Sequence, residues 1–179
     1  MTKLKIKLLA FRGAPEAVYH NATLRIEKLI SKEDYELTDH QPEVLFFLSG
    51  GSERPAMELV SPGDFYLLIG SRHGNSYASA TEVKAYLNEN KIPSLLLDEE
   101  EAETKAFLQD FITVKQALKR LKGQKLGLIG QISDWLISSA IPPSLLKERL
   151  GIDFVEIPWD KLAHFSTFKA SEAFLNTFA

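Results

Sequence analysis

The chain has 179 residues, 45% apolar and 25% charged, with a formal net charge of −3. That is enough chain for one domain, or one and a fraction, around a sizeable apolar core. No basic stripe runs along it to neutralise phosphates, which argues against nucleic acid as a partner, and with no cysteine it cannot form disulfides, thiolate nucleophiles or cysteine-based zinc sites.

From the N-terminus, Leu4 to Phe11 alternates and then runs apolar, which predicts a strand broken by Gly13. Pro15 suits a first helical turn, and Val18, Ala22, Ile26, Leu29 and Ile30 continue a helical face. A short strand is expected over Tyr35 to Thr38. A continuous apolar strand follows over Val44 to Leu48, of the kind buried on both faces. Glu53 to Val60 reads as a short helix and Phe65 to Ile69 as a second buried strand. Ser76 to Asn90 is an amphipathic helix with Asn75 or Ser76 as N-cap, and Ser94 to Leu97 is a strand. The acidic run Asp98 to Glu101 reads as a solvated loop leading into a first helical turn. Phe107, Phe111, Val114, Leu118 and Leu121 mark the clearest helix, Glu100 to Leu121, ending at Gly123. Lys125 to Ile129 is a strand, Pro143 to Leu150 a helix stopped by Gly151, and Phe154 to Ile157 a strand. Asp160 to Phe165 is expected to start a helix, and Lys169 to Phe178 forms a last amphipathic piece.

Buried strands alternating with helices predict an α/β, doubly wound, mostly parallel sheet of flavodoxin- or Rossmann-like type. In such sheets ligands sit beyond the carboxyl ends of the strands. Four loops occupy that edge: "FRGAPE" from Phe11, "SGGSERP" from Ser49, "GSRHGNSYASATE" from Gly70 and "GQISDW" from Gly130. They carry Arg12, Glu53, Arg54, Arg72, His73, Asn75, Ser76, Gln131, Ser133, Asp134 and Trp135. Most of these admit plainer readings as turns or caps, and Trp135 as core filler. Glu53 and Asp134 form the one plausible carboxylate pair across loops. No G-x-G-x-x-G or phosphate loop is present, so a nucleotide cofactor is not expected. No histidine pair has metal-ligand spacing, and no nucleophile elbow occurs. The N-terminal "MTKLKIKLLAFRGAPE" lacks an A-x-A cleavage pattern, and no stretch reaches the ~20 apolar residues of a spanning helix. The expectation is a soluble, cytoplasmic protein with no membrane partner.

Three blocks, "GGSERP" from Gly50, "HGNSYASATEVKAYLNENKIPSLLL" from His73 and "KLGLIGQISDWLISSA" from Lys125, resemble in order and spacing the N-terminal region of the L-fucose/L-arabinose isomerase-like family. These are metal-dependent aldose–ketose isomerases and their relatives. The resemblance implies a flavodoxin-like first domain over 1–122, with 123–179 as the opening βαβα of a second, incomplete domain. It also implies a longer whole protein, which isomerises a pentose or 6-deoxyhexose through an enediol with a divalent metal, usually Mn2+, held by Glu, Asp and His beyond this region. No residue here matches those ligands, so this chain alone is expected to hold no cofactor and to be inactive.

The family's homo-oligomers bring the N-terminal domain to a neighbouring active site. The resemblance therefore places a sugar substrate at a domain or subunit interface, near Arg12, Glu53, His73, Asn75, Ser133, Asp134 and Trp135. Arg12 stands where an arginine of that kind could lie, although the Gly-Arg-Arg pattern of fucose isomerases is absent. Under this reading Gly130 to Trp135 faces an inter-domain cleft. The alternative is a small-molecule module that binds a sugar or sugar phosphate. A stand-alone enzyme using Glu53, His73 and Asp134 ranks behind both.

Overall fold

The computed structural model describes residues 3–138 and 140–177. The chain forms two compact units that divide between Gln116 and Ala117. Within the first, β1 (Leu4–Leu9), β2 (Tyr35–Leu37), β3 (Val44–Phe47), β4 (Tyr66–Gly70) and β5 (Ser94–Asp98) make one sheet in the order β2-β1-β3-β4-β5, every pairing parallel. This is the flavodoxin-like strand order. The expected doubly wound α/β fold is therefore present.

Period-two alternation sends the strand residues to two cores. Leu4, Ile6, Val44, Phe46, Leu67 and Ile69 pack with Ala22, Ile26 and Leu29 of α2 (Ala22–Leu29) and with Leu108 and Ile112 of α5 (Ala102–Leu121). Leu9, Leu45, Phe47, Tyr66 and Leu68 pack on the other face with Ala56 of α3 (Glu53–Met57) and with Ala80, Val83 and Leu87 of α4 (Ser76–Glu89). All four residues of β3 are buried, as its unbroken apolar run predicts for a strand covered on both faces. The first helical stretch is split at Asn21 into α1 (Glu16–His20) and α2.

No helix joins β2 to β3. β2 pairs only with Leu4 to Ile6 of β1, and β3 pairs with Ile6 to Leu9. The six residues 38–43 therefore suffice to cross over β1, and Lys7 bonds to Asp39 of that loop. A lysine is tolerated at this position in β1 because a polar loop, not a helix, lies there.

Two sequence expectations hold only in part in this unit. The acidic run is a turn leading into a helix, as expected, with Glu100 and Glu101 exposed, but its first residue is not solvated: Asp98 is 5% exposed, and accepts from Arg72 Nε at 2.6 Å and from the Glu100 N–H at 3.0 Å. Glu99 takes a two-point contact from Arg25, whose guanidinium lies 5.2 Å from the centre of the Phe46 ring. Asn75 occupies the N-cap position of α4, as expected, although its φ is 58° and its side chain makes no capping bond. Ser76 does the local work instead, accepting from the Ser71 N–H at 2.8 Å and donating to the Ser71 carbonyl at 3.3 Å.

In the second unit β6 (Lys125–Ile129) and β7 (Asp153–Ile157) form a two-stranded parallel sheet, with α6 (Pro143–Leu150) between them in sequence. Leu126, Ile129 and Val155 remain exposed. The helix expected over Asp160 to Phe165 is replaced by 3-10 turns at Trp159–Lys161 and Phe165–Thr167. The last piece is helical only over α7 (Glu172–Leu175), and Phe178 lies outside the described residues. Short exposed segments offer no apolar face to repay helix nucleation. Among the described residues no helix is long and apolar enough to cross a membrane.

Candidate functional site

The chain winds outward in both directions from β1 and β3: β2 lies on one side, β4 and β5 on the other. The helices that follow β1 and β3 pack on opposite faces of the sheet, which opens a crevice beyond the carboxyl ends at the topological switch point. A cleft of about 890 Å³ lies there, lined among others by Phe11, Arg12, Tyr19, Glu53, Arg54 and Glu58. It brings together Arg12 and Glu53 of the sequence-derived set.

The loop after β3 is held by its own hydroxyls. Ser52 is fully buried, donates to the Ser49 carbonyl at 2.8 Å, and lies 3.0 Å from the hydroxyl of Ser79 on α4. Ser49 Oγ accepts from the Phe11 N–H at 3.1 Å, which ties the loops after β1 and β3 together. Gly51 has φ +76°, and a Cβ there would stand 3.1 Å from Phe11 Cβ. The turn therefore needs glycine both for its backbone angle and for the close approach of Phe11.

Glu53 opens α3 from this scaffold. Its carboxyl is held below the usual range, first by its own backbone N–H; partial burial opposes this, and the Ser79 hydroxyl and Gly51 N–H add to it. An ionised carboxylate accepts hydrogen bonds only, whereas the Arg12 and Arg54 guanidinium groups donate only. One cleft thus offers fixed acceptors and flexible donors, the complement of a molecule rich in hydroxyls.

Glu53 also borders a neighbouring hollow with Asn75, Ser79 and Glu82. The loops on either side of it are tied by the Gly50 N–H donating to the Gly74 carbonyl at 2.8 Å. Gly70, at the end of β4, has the Tyr77 Cα only 2.8 Å from where its Cβ would be, so α4 sits directly on the strand end. His73 lies elsewhere, in a hollow with Arg25, Lys28, Ser71 and Glu99, with its Nε2 3.3 Å from Glu100 Oε1. Glu53 and His73 therefore line separate hollows, and the sequence-derived trio of Glu53, His73 and Asp134 is not brought together within the first unit, because Asp134 belongs to the second.

In the second unit a cleft of about 490 Å³ is lined by Gly130 to Trp135, Glu156, Pro158 and Trp159. Ser133, Asp134 and Trp135 thus share one concavity. Trp135 is 80% exposed, so the core-filler reading fails for it. Trp159 and Glu156 were missed in the sequence. The signal was available, because Trp159 follows the carboxyl end of β7 just as Trp135 follows that of β6. Ser79, which steadies Glu53, carries no sequence signal, since its partner becomes near only through the β3–β4 crossover.

Among the described residues no group of three or more His, Asp or Glu could hold a metal ion. The manganese implied by the family resemblance finds no ligand set among the described residues. No model of a known protein family matches the chain, and no curated protein gives a significant match.

Proposed function

We propose that this chain binds a polyhydroxylated small molecule, an open-chain sugar, at the β1/β3 switch point. In this reading it is the sugar-contacting N-terminal portion of a sugar isomerase-like protein whose metal-binding catalytic residues lie in another part of the molecule. The observation that carries the binding is the pairing of Arg12 and the ionised, hydroxyl-supported Glu53 in one cleft at the place where α/β sheets take ligands. The sugar class comes from the resemblance of the three sequence blocks to aldose–ketose isomerases.

Arg12 donates to carbonyl and hydroxyl oxygens of the sugar, and Glu53 accepts from its hydroxyls. Both groups hold and orient the chain of carbons without moving a proton. Thermal unfolding in a panel of pentoses, 6-deoxyhexoses and sugar phosphates tests this, because a ligand bound to the native state alone raises the melting temperature. Stabilisation of the first unit, followed by its five tyrosines, that disappears in Arg12→Ala and Glu53→Gln is the expected outcome. A panel without effect would overturn the binding, and turnover of an aldose by this chain with added Mn2+ would overturn the assignment of catalysis to another part of the molecule.

Self-association belongs to the same proposal. Parallel sheets are normally covered on both faces, and the exposed Leu126, Ile129 and Val155 of the β6–β7 sheet favour burial in an assembly. Sedimentation as a concentration-independent monomer would remove this part.

A further inference from the structure

Both tryptophans of the chain, Trp135 and Trp159, line the cleft at the carboxyl ends of β6 and β7. They are 80% and 70% exposed, an unusual placement for the two largest apolar side chains of a sequence. Trp159 is seated deliberately: a Cβ on Gly130, whose φ is +82°, would stand 2.4 Å from its indole Nε1. Only glycine lets the indole lie against the backbone at the strand end.

Around the rings stand Gln131, Ser133, Asp134 and Glu156. Among the described residues, none of these four side chains is engaged in a hydrogen bond or ion pair. Among the described residues the lining contains no Lys, Arg or His, in contrast to the switch-point cleft with its two arginines.

We propose that this cleft is a second binding site, a stacking platform for a neutral polyhydroxylated ring such as an unphosphorylated cyclic sugar. The indole faces take the apolar C–H face of the ring. Asp134 and Glu156 accept from its hydroxyls, and Gln131 and Ser133 both donate and accept. Apolar walls with a few convergent polar groups are the usual composition of a small-molecule site. Two carboxylates without a counter-cation repel a phosphate, so phosphorylated sugars are excluded. An organic cation would also suit indoles and carboxylates, but it would leave the donors of Gln131 and Ser133 unused. The proposal does not depend on the switch-point reading.

The test is intrinsic fluorescence of the full chain titrated with methyl glucoside, glucose 6-phosphate and tetramethylammonium. Because the chain has two tryptophans, Trp135→Phe leaves Trp159 as the sole reporter. Methyl glucoside is expected to change the emission saturably in the wild type and equally in Arg12→Ala, which separates this cleft from the switch point. Glucose 6-phosphate should bind more weakly. Trp159→Ala should weaken binding about tenfold, the scale of one lost aromatic contact, while Trp159→Phe retains most of it, with circular dichroism confirming the fold of each variant. No saturable change with methyl glucoside, equal binding of the phosphate, a response to tetramethylammonium alone, or wild-type affinity in folded Trp159→Ala would each overturn the proposal.

Discussion

Replacing Asp98 by asparagine isolates one charge at the end of β5 without changing its shape. The carboxylate is 5% exposed. It accepts from Arg72 Nε at 2.6 Å and from the Glu100 N–H at 3.0 Å. An amide oxygen can still accept from Glu100, so the loss is the charge-assisted bond to Arg72. Such bonds contribute roughly 1.5–3 kcal/mol. Arg72 is 64% exposed and regains water when released, which discounts the figure to about 1–2 kcal/mol.

The pH dependence supplies the sharper signature. Burial alone would raise the Asp98 pKa, but the Glu100 N–H and the Arg72 guanidinium outweigh it and hold it below the ordinary value. A group with a depressed folded pKa contributes stability that is present above the unfolded value of about 3.9 and lost as pH falls through the folded pKa. The gap between wild type and Asp98→Asn should therefore be full at pH 7 and shrink as the pH falls below about 4.

Urea unfolding at both ends of that range measures it. All five tyrosines lie before Gln116 and both tryptophans after Ala117, so tyrosine signals follow the first unit and tryptophan signals the second. The gap should appear in the tyrosine signal. A gap of constant size across pH, or none at pH 7, would refute the charge-based account of Asp98.

Other outcomes follow from the packing. Gly70→Ala places a Cβ 2.8 Å from the Tyr77 Cα and 3.0 Å from its N; backbone cannot step aside as a side chain can, so a loss of about 1–3 kcal/mol is expected in urea unfolding. Phe46→Ala empties a fully buried site in the centre of the sheet and removes the ring beneath Arg25, for a loss of about 3–5 kcal/mol by the same measurement. Arg25→Met keeps much of the stem while leaving Glu99, whose side chain is 12% exposed, without its cation. A destabilisation that persists in high salt is expected, because partly buried pairs are screened less than exposed ones.

The sheet was readable because its signals are local. The unbroken run of β3 and the apolar spacing of α5 each lie within one element; burial follows directly for β3, whereas in α5 the buried residues are Thr104, Leu108 and Ile112, and Val114 and Leu118 of the expected stripe are exposed. Gly151 after Leu150 marked the end of α6 for the same reason. Asp98 was misread because four consecutive acids look solvated in one dimension. Its partner Arg72 is 26 residues away and becomes a neighbour only when β4 pairs with β5. Asn75 was legible as the N-cap position of α4, but its left-handed backbone and the bonding of Ser76 to Ser71 were not, because they are decided by how the loop after β4 folds back. In the site, Arg12 and Glu53 were legible from the rule that ligand loops follow parallel strands. Ser79 and Trp159 were not extracted, the first because its role arises through tertiary contact, the second because the rule was not carried to β7.

The most direct measurement is an amide chemical-shift map of the labelled chain titrated with an open-chain polyol, the reduced form of a pentose. The account predicts saturable shifts centred on Phe11, Arg12, Gly13, Gly51, Glu53 and Arg54, which line the switch-point cleft, that vanish in Glu53→Gln. Shifts confined to other surfaces, or a spectrum unchanged through the titration, would contradict it.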